Sequence, residues 1–225
     1  MRETVEAFRF ESSRGSLSAL WGDAPDAVAV AVLAHGAGND MRTPLLAGVA
    51  EGLGANGVSC MRFNFPYTEQ GRRSPDRPPV LIEAWRAALD EARRRARGLR
   101  LAAGGKSLGG RMASMAAAED PGGFPAAGLV FFGYPLHAPG RPDRLRDAHL
   151  AKVAVPMLFI QGTADPLADF SLLHEVIDRL GPKARLHAVE GGDHSFRVRG
   201  ARRPDTEIGE ELGAVAASFI REVVG

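Results

Sequence analysis

The sequence predicts an α/β protein: a mostly parallel sheet with helices on both faces and an antiparallel hairpin at its start. Three observations carry that expectation. Apolar runs of strand length alternate along the chain with amphipathic segments of helix length. One run, Ala27–Ala34 ("AVAVAVLA"), is apolar throughout, as a strand covered on both faces must be. Polar, glycine-containing loops follow the strands, from His35-Gly36 to Asp193-His194, and open parallel sheets bind ligands at those carboxyl ends.

Thr4–Glu11 and Ser16–Trp21 read as the hairpin, joined by Ser12-Ser13-Arg14-Gly15. After Ala27–Ala34, a helix is expected from Thr43 to Ala55, with Thr43 as N-cap and Pro44 in its first turn. Val58–Phe63 is the next strand, "PYTEQGRRSPDRPP" a polar loop, and Val80–Arg97 a long amphipathic helix. Leu99–Ala103 makes a short strand, followed by a tight turn and an alanine-rich helix from Leu108 to Glu119. Ala127–Phe132, Val155–Ile160 and Ala184–Val189 are the remaining strands, with helices at Phe170–Leu180 and Pro204–Val224. Asp169 stands where it would cap the first of these two helices. The short segment from Gly133 to Lys152 leaves no room for a large lid, so the site is expected to be open or covered by that segment alone. No fixed-period repeat and no domain-sized linker interrupts the chain, and residues 1–225 read as one domain.

Composition narrows the function. With 225 residues and 45% hydrophobic content, one core can bury roughly 70–75% of the surface exposed on unfolding. The 28 Lys+Arg against 27 Asp+Glu leave a net charge of +1, which argues against nucleic acid as a partner. The single cysteine, Cys60, excludes an internal disulfide framework and any multi-cysteine metal site. Cys60 itself reads as a small core residue, and neither metal nor cofactor is expected. "MRETVEAFRF" carries charges where a signal peptide needs an apolar run, and no apolar stretch is long enough to span a bilayer. A soluble, cytoplasmic protein without a membrane partner is therefore expected. The basic runs Arg93–Arg100 and Arg197–Arg203 read as a solvated helix end and a solvated loop.

The stretch "LAAGGKSLGGR", Leu101 to Arg111, admits two readings. A phosphate-binding loop, G-x-x-x-x-G-K-[ST], requires a glycine at the position that Arg100 occupies. Without it, too few backbone N–H groups are available to wrap the phosphates. The same residues spell G-x-S-x-G over Gly105, Ser107 and Gly109, a strand-to-helix turn that lifts one serine Oγ above a sheet. Such a serine needs a histidine base and a carboxylate to orient it, in the chain order serine, acid, histidine. Asp165 and then His194 follow later strands in that order. Asp193 and Asp169 are rival carboxylates; the first adjoins His194 too closely to orient its ring and the second suits a helix cap, so Asp165 is favoured.

Leu108 N–H and, from the loop His35-Gly36-Ala37-Gly38, Ala37 N–H are the candidate oxyanion donors. One such donor is worth on the order of 3 kcal/mol in the transition state. His35 is expected to brace that loop. Phe65, Tyr67, Tyr134 and Leu136, with His137, are candidate walls of an acyl pocket, and Lys106 reads as a solvent-facing bystander.

These residues resemble the α/β-hydrolase superfamily, and within it the dienelactone-hydrolase-like branch. "RFNFPY", "GGKSLGGRMAS", "FFGYPLHAPGRPDRLRDAHL", "FIQGTADP" and "GGDHSF" look like the small testis-expressed hydrolase-like proteins. They also look like the hydrolase-like domain of a chromatin-associated acetyltransferase-complex subunit. The resemblance runs in order from about His35 to Phe196. It implies the α/β-hydrolase fold and the triad Ser107, Asp165 and His194. The branch's best-known chemistry uses a cysteine nucleophile where this chain has Ser107, which weighs against dienelactone as substrate. The expectation is a serine hydrolase acting on a small ester, thioester or related acyl substrate. The alternative is a hydrolase-like interaction module with little or no turnover.

Overall fold

The computed structural model describes residues 5–225, so Thr4, the expected start of the hairpin, lies outside the described residues. Eight strands form one sheet: β1 (Val5–Ser12), β2 (Gly15–Gly22), β3 (Ala29–Ala34), β4 (Val58–Phe63), β5 (Arg100–Lys106), β6 (Ala126–Phe132), β7 (Met157–Gly162) and β8 (Ala184–Val189). Their spatial order is β1-β2-β4-β3-β5-β6-β7-β8. β1, β2 and β4 pair antiparallel, and every pair from β4 to β8 is parallel. The direction of winding reverses around β3, so the loops after β3 and β5 open side by side at the switch point, where such sheets hold ligands.

Side chains alternate across the sheet. Val30, Val32 and Ala34 of β3 join the core beneath α3 (Pro78–Arg95), α4 (Leu108–Glu119) and α5 (Phe170–Leu180). Ala29, Ala31 and Leu33 join the opposite core, beneath α1 (Pro44–Ala55) and α6 (Asp205–Val224). This is why β3 is apolar at every position. α1 and α6 cross in backbone contact: a Cβ on Gly48 would collide with the Thr206 carbonyl, and one on Gly52 with the Glu210 carbonyl.

Several boundaries differ from expectation for local reasons. β5 does not end at Ala103; Gly104, Gly105 and Lys106 continue it, paired with Val130, Phe131 and Phe132. Glycine carries little strand preference, which hides this extension from a composition-based reading. α3 starts at Pro78, because prolines fit a first turn whose N–H groups have no helical partner. The expected polar loop contains a single helical turn, α2 (Pro66–Glu69), tied down where Glu69 accepts from Asn64 at 3.0 Å and from Ser18 Oγ at 3.0 Å. Thr43 occupies the N-cap position of α1 without a side-chain capping bond, whereas Asp169 does cap α5, accepting from Leu172 N–H at 3.1 Å. Among the described residues, no helix or strand element lies between Phe132 and the short 3-10 turn Leu150–Lys152, so no lid domain is present there. No helix among them is long and apolar enough to cross a membrane.

Candidate active site

β5 delivers the chain to Ser107, whose φ of 52° and ψ of −113° lie in a region that side-chain-bearing residues rarely occupy. Such a conformation costs of order 1–3 kcal/mol and persists only where the surroundings impose it. Here they do. Ser107 N–H donates to the Phe132 carbonyl at 3.1 Å, and Trp85 Nε1–H of α3 donates to the Gly109 carbonyl at 3.1 Å. Gly105 and Gly109 let the turn close over β3, since a Cβ on either would collide with the Ala34 carbonyl oxygen.

Ser107 Oγ lies 2.9 Å from His194 Nε2, and His194 Nδ1 lies 2.7 Å from Asp165 Oδ2. The structure thus joins three residues from the turns after β5, β7 and β8 into one hydrogen-bonded chain. The Asp165 side chain is fully buried and that of His194 is 25% exposed. A carboxylate at Nδ1 keeps the proton there and leaves Nε2 as an acceptor for the serine hydroxyl. Asp165 is itself held on both oxygens: Oδ1 accepts from Leu167 N–H at 2.8 Å and Oδ2 from Gln161 Nε2 at 2.6 Å. The rival Asp193 has another task. Its Oδ1 accepts from the backbone N–H groups of Ser195 at 2.7 Å and Arg197 at 3.0 Å, shaping the turn that presents His194.

The loop after β3 is equally constrained. The Gly36 carbonyl accepts from His35 Nδ1 at 2.8 Å, Asn39 N–H at 3.3 Å and the Tyr67 hydroxyl at 3.4 Å. A trans peptide is planar, so pinning that carbonyl turns the Ala37 N–H the opposite way. Gly36 runs beside the serine; a Cβ on it would stand 3.6 Å from Ser107 Cβ. Leu108 opens α4, and its N–H is one of those the helix cannot pair. His35 also accepts from Phe65 N–H through Nε2 at 3.2 Å. Burial pushes its pKa below the ordinary histidine range, with the Gly36 bond and Asp40 partly offsetting this.

The sequence profile of the alpha/beta hydrolase domain family matches residues 27–223. The chain belongs to that family. Solved structures share the fold at low identity. A dienelactone hydrolase from Anabaena variabilis is 21% identical with a TM-score of 0.79, each chain covered over 100% of its length. An alpha-beta serine hydrolase homologue from Coxiella burnetii is 18% identical with a TM-score of 0.75, over 94% of this chain and 96% of that one. A Xanthomonas campestris protein, described as an a/b serine hydrolase without lid, is 20% identical with a TM-score of 0.71, over 96% of each chain.

In this α/β-hydrolase the expected pocket walls turn out to be packing residues. Phe65, Tyr67, Tyr134 and Leu136 are all buried. Phe65 and Tyr67 pack edge-on against His35, with ring centroids 5.2 and 5.8 Å away. Tyr134 donates its hydroxyl to the Arg146 carbonyl at 2.7 Å, and burial pushes its phenol well above the usual range. His137 is committed to the Ala138 carbonyl at 2.9 Å and to Asp169 N–H at 2.8 Å. A cavity of about 380 Å³ lies between β8 and α6, bordered by His187, Phe196 and Leu212, and none of Ser107, Asp165 or His194 lines it.

Two residues acquire a place that the sequence reading did not assign. Gln161 is fully buried; besides holding Asp165, its Oε1 accepts from Tyr134 N–H at 2.8 Å. A polar residue near the end of the otherwise apolar strand "MLFIQG" is the signal that marks it. Lys106 is not solvent-facing. Because β5 extends through it, its side chain points to the same sheet face as Ala102 and Phe196, where the residue is 9% exposed. Its Nζ has no hydrogen-bond partner among the described residues. Burial pushes the pKa down to about 8, with Asp165 and then Asp193 partly offsetting this.

Proposed function

We propose that this α/β-hydrolase is a serine hydrolase that cleaves a small ester, thioester or related acyl substrate through a covalent acyl-enzyme. The observation that carries this reading is the chain of short hydrogen bonds from Ser107 through His194 to Asp165. His194 Nε2 takes the hydroxyl proton as Ser107 Oγ bonds to the acyl carbon, and the carbonyl electron pair moves onto oxygen. Asp165 keeps the ring in its Nδ1–H form and stabilises the imidazolium. The Leu108 N–H, at the positive end of α4, and the Ala37 N–H receive the oxyanion. Its collapse breaks the bond to the leaving group, which departs with the proton from His194. Water, deprotonated by the same Nε2, then attacks the acyl-enzyme and releases the acid.

Support comes from the strained serine turn, from a carboxylate with both oxygens occupied, and from the family itself. The dienelactone hydrolase and the serine hydrolase homologue that share the fold point the same way. The absence of a lid domain among the described residues between β6 and the 3-10 turn suits a small and accessible substrate. Purified protein is expected to hydrolyse p-nitrophenyl acetate. Ser107→Ala is expected to lower kcat by about 10⁵–10⁶-fold while leaving the circular dichroism spectrum intact. Wild-type protein that turns over neither short p-nitrophenyl esters nor thioesters would overturn the reading.

A further inference from the structure

Among the described residues, three buried side-chain polar atoms have no hydrogen-bond partner: Asp76 Oδ2, Arg111 Nε and Lys106 Nζ. Lys106 stands apart because it immediately precedes Ser107. Gly133 supplies the geometry. A methyl group there would meet Lys106 Nζ at 2.9 Å, the His194 carbonyl oxygen at 3.4 Å and His194 Nδ1 at 3.5 Å, so both nitrogens stand close to Gly133. The Phe196 ring also faces Nζ, its centroid 5.7 Å away. The charged and titratable groups around Nζ come from two turns: Asp165 after β7, and Asp193 with His194 after β8. The turn after β6 brings Gly133 against Nζ.

An ammonium placed here is expensive to the fold. Burying a charge without a hydrogen-bonded partner is destabilising, and an apolar side chain of the same length would fill the space without that penalty. A purely structural cation would be satisfied by carbonyls or a carboxylate, as Lys183 is by the carbonyls of Ala151 at 3.0 Å and Val153 at 2.8 Å. The placement makes sense through its electrostatic effect on the neighbouring imidazole.

We propose that Lys106 is a positioning residue for the base: its buried positive charge opposes the fields of Asp165 and Asp193 at His194 and favours the neutral imidazole that can accept the serine proton. This rests on the serine-hydrolase reading for its effect on rate, but not for its effect on the titration of His194. The sign follows from charge alone. A nearby cation disfavours imidazolium, so removing it should move the acidic limb of the rate profile upward. The control is graded as well, because the ammonium itself loses its proton around pH 8.

The test compares wild type with Lys106→Met in two measurements. The first is kcat/KM for p-nitrophenyl acetate as a function of pH. The acidic limb is expected to move up by about 0.5–1 pH unit in the variant. The second is an NMR titration of the His194 ring. In wild type it should show its own transition and a smaller second step near pH 8 as Lys106 deprotonates; the variant should lose that second step. An unmoved limb, or equal loss of rate at all pH values with the limb in place, is what a structural lysine gives and overturns the proposal. If the variant fails to fold, a wild-type His194 titration without the second step overturns it equally. A wild-type protein inert to esters sinks the hydrolase reading, while the ring titration still decides the role of Lys106.

Discussion

His35, after β3, and His194, after β8, are both held with a proton on Nδ1. His35 donates it to the Gly36 carbonyl at 2.8 Å, and His194 to Asp165 at 2.7 Å. They part at Nε2. His35 accepts there from the backbone N–H of Phe65 at 3.2 Å, which never gives its proton up; the Thr68 hydroxyl, 3.3 Å from the same nitrogen, also donates to the Asn39 carbonyl at 3.4 Å. His194 accepts from the Ser107 hydroxyl at 2.9 Å, which can give it up as the oxygen attacks. The partner at Nδ1 differs in charge as well. A neutral carbonyl only partly offsets the lowering of the His35 pKa by burial; in the proposed mechanism a buried carboxylate stabilises the imidazolium that His194 becomes. Two rings in one tautomer therefore divide into a brace and a base according to what each nitrogen touches.

The comparison is broken most severely by making the partner of His194 neutral. Asp165→Asn replaces the carboxylate with an amide, and kcat is expected to fall by about 10⁴-fold in steady-state assays, with little change in KM. A loss below tenfold would mean that the charge at Nδ1 is not what separates the two histidines. His35→Ala should act in the other direction, on the fold before the chemistry. It leaves Phe65 N–H buried without its acceptor, at a cost of about 1–3 kcal/mol, readable in urea unfolding. It also releases one of three bonds on the Gly36 carbonyl, so kcat should fall by far less than in Asp165→Asn. An equal collapse of kcat with an intact fold would make His35 a participant in the chemistry.

A third histidine extends the comparison to the smallest effect. His149 bonds to Ser114 Oγ at 2.8 Å, and burial, with Arg111 beside it, pushes its pKa down to about 4. The unfolded chain binds that proton at about 6.5, so stability attached to His149 is intact above 6.5 and is lost as pH falls towards 4. Melting temperature should decline through that window, and His149→Asn should flatten the decline.

Much of this was legible in the chain. The strands Val58–Phe63 and Ala184–Val189 and the helices Leu108–Glu119 and Phe170–Leu180 stand where hydrophobic pattern and turn residues put them. Ser107, Asp165 and His194, which the structure joins by hydrogen bonds, stand out in the chain because each follows a strand, and that rule depends on topology alone. The errors share a different cause. An aromatic after a strand looks the same in sequence whether it lines a pocket or packs behind a loop, so Phe65, Tyr67 and Tyr134 could not be told apart from walls. Lys106 was misjudged because its direction depends on β5 continuing through two glycines that carry no strand signal. The close crossing of α1 and α6 needs Gly48 and Gly52 to meet a helix at the far end of the chain, a pairing that no local pattern announces.

The division between brace and base rests on Ser107 being activated by His194. Peptide mapping after exposure to a fluorophosphonate probe reads this directly. Wild-type protein is expected to carry one phosphonyl adduct, on Ser107, and His194→Ala to carry none under the same conditions. An adduct on another residue, an unlabelled wild type, or equal labelling of Ser107 in His194→Ala would contradict it.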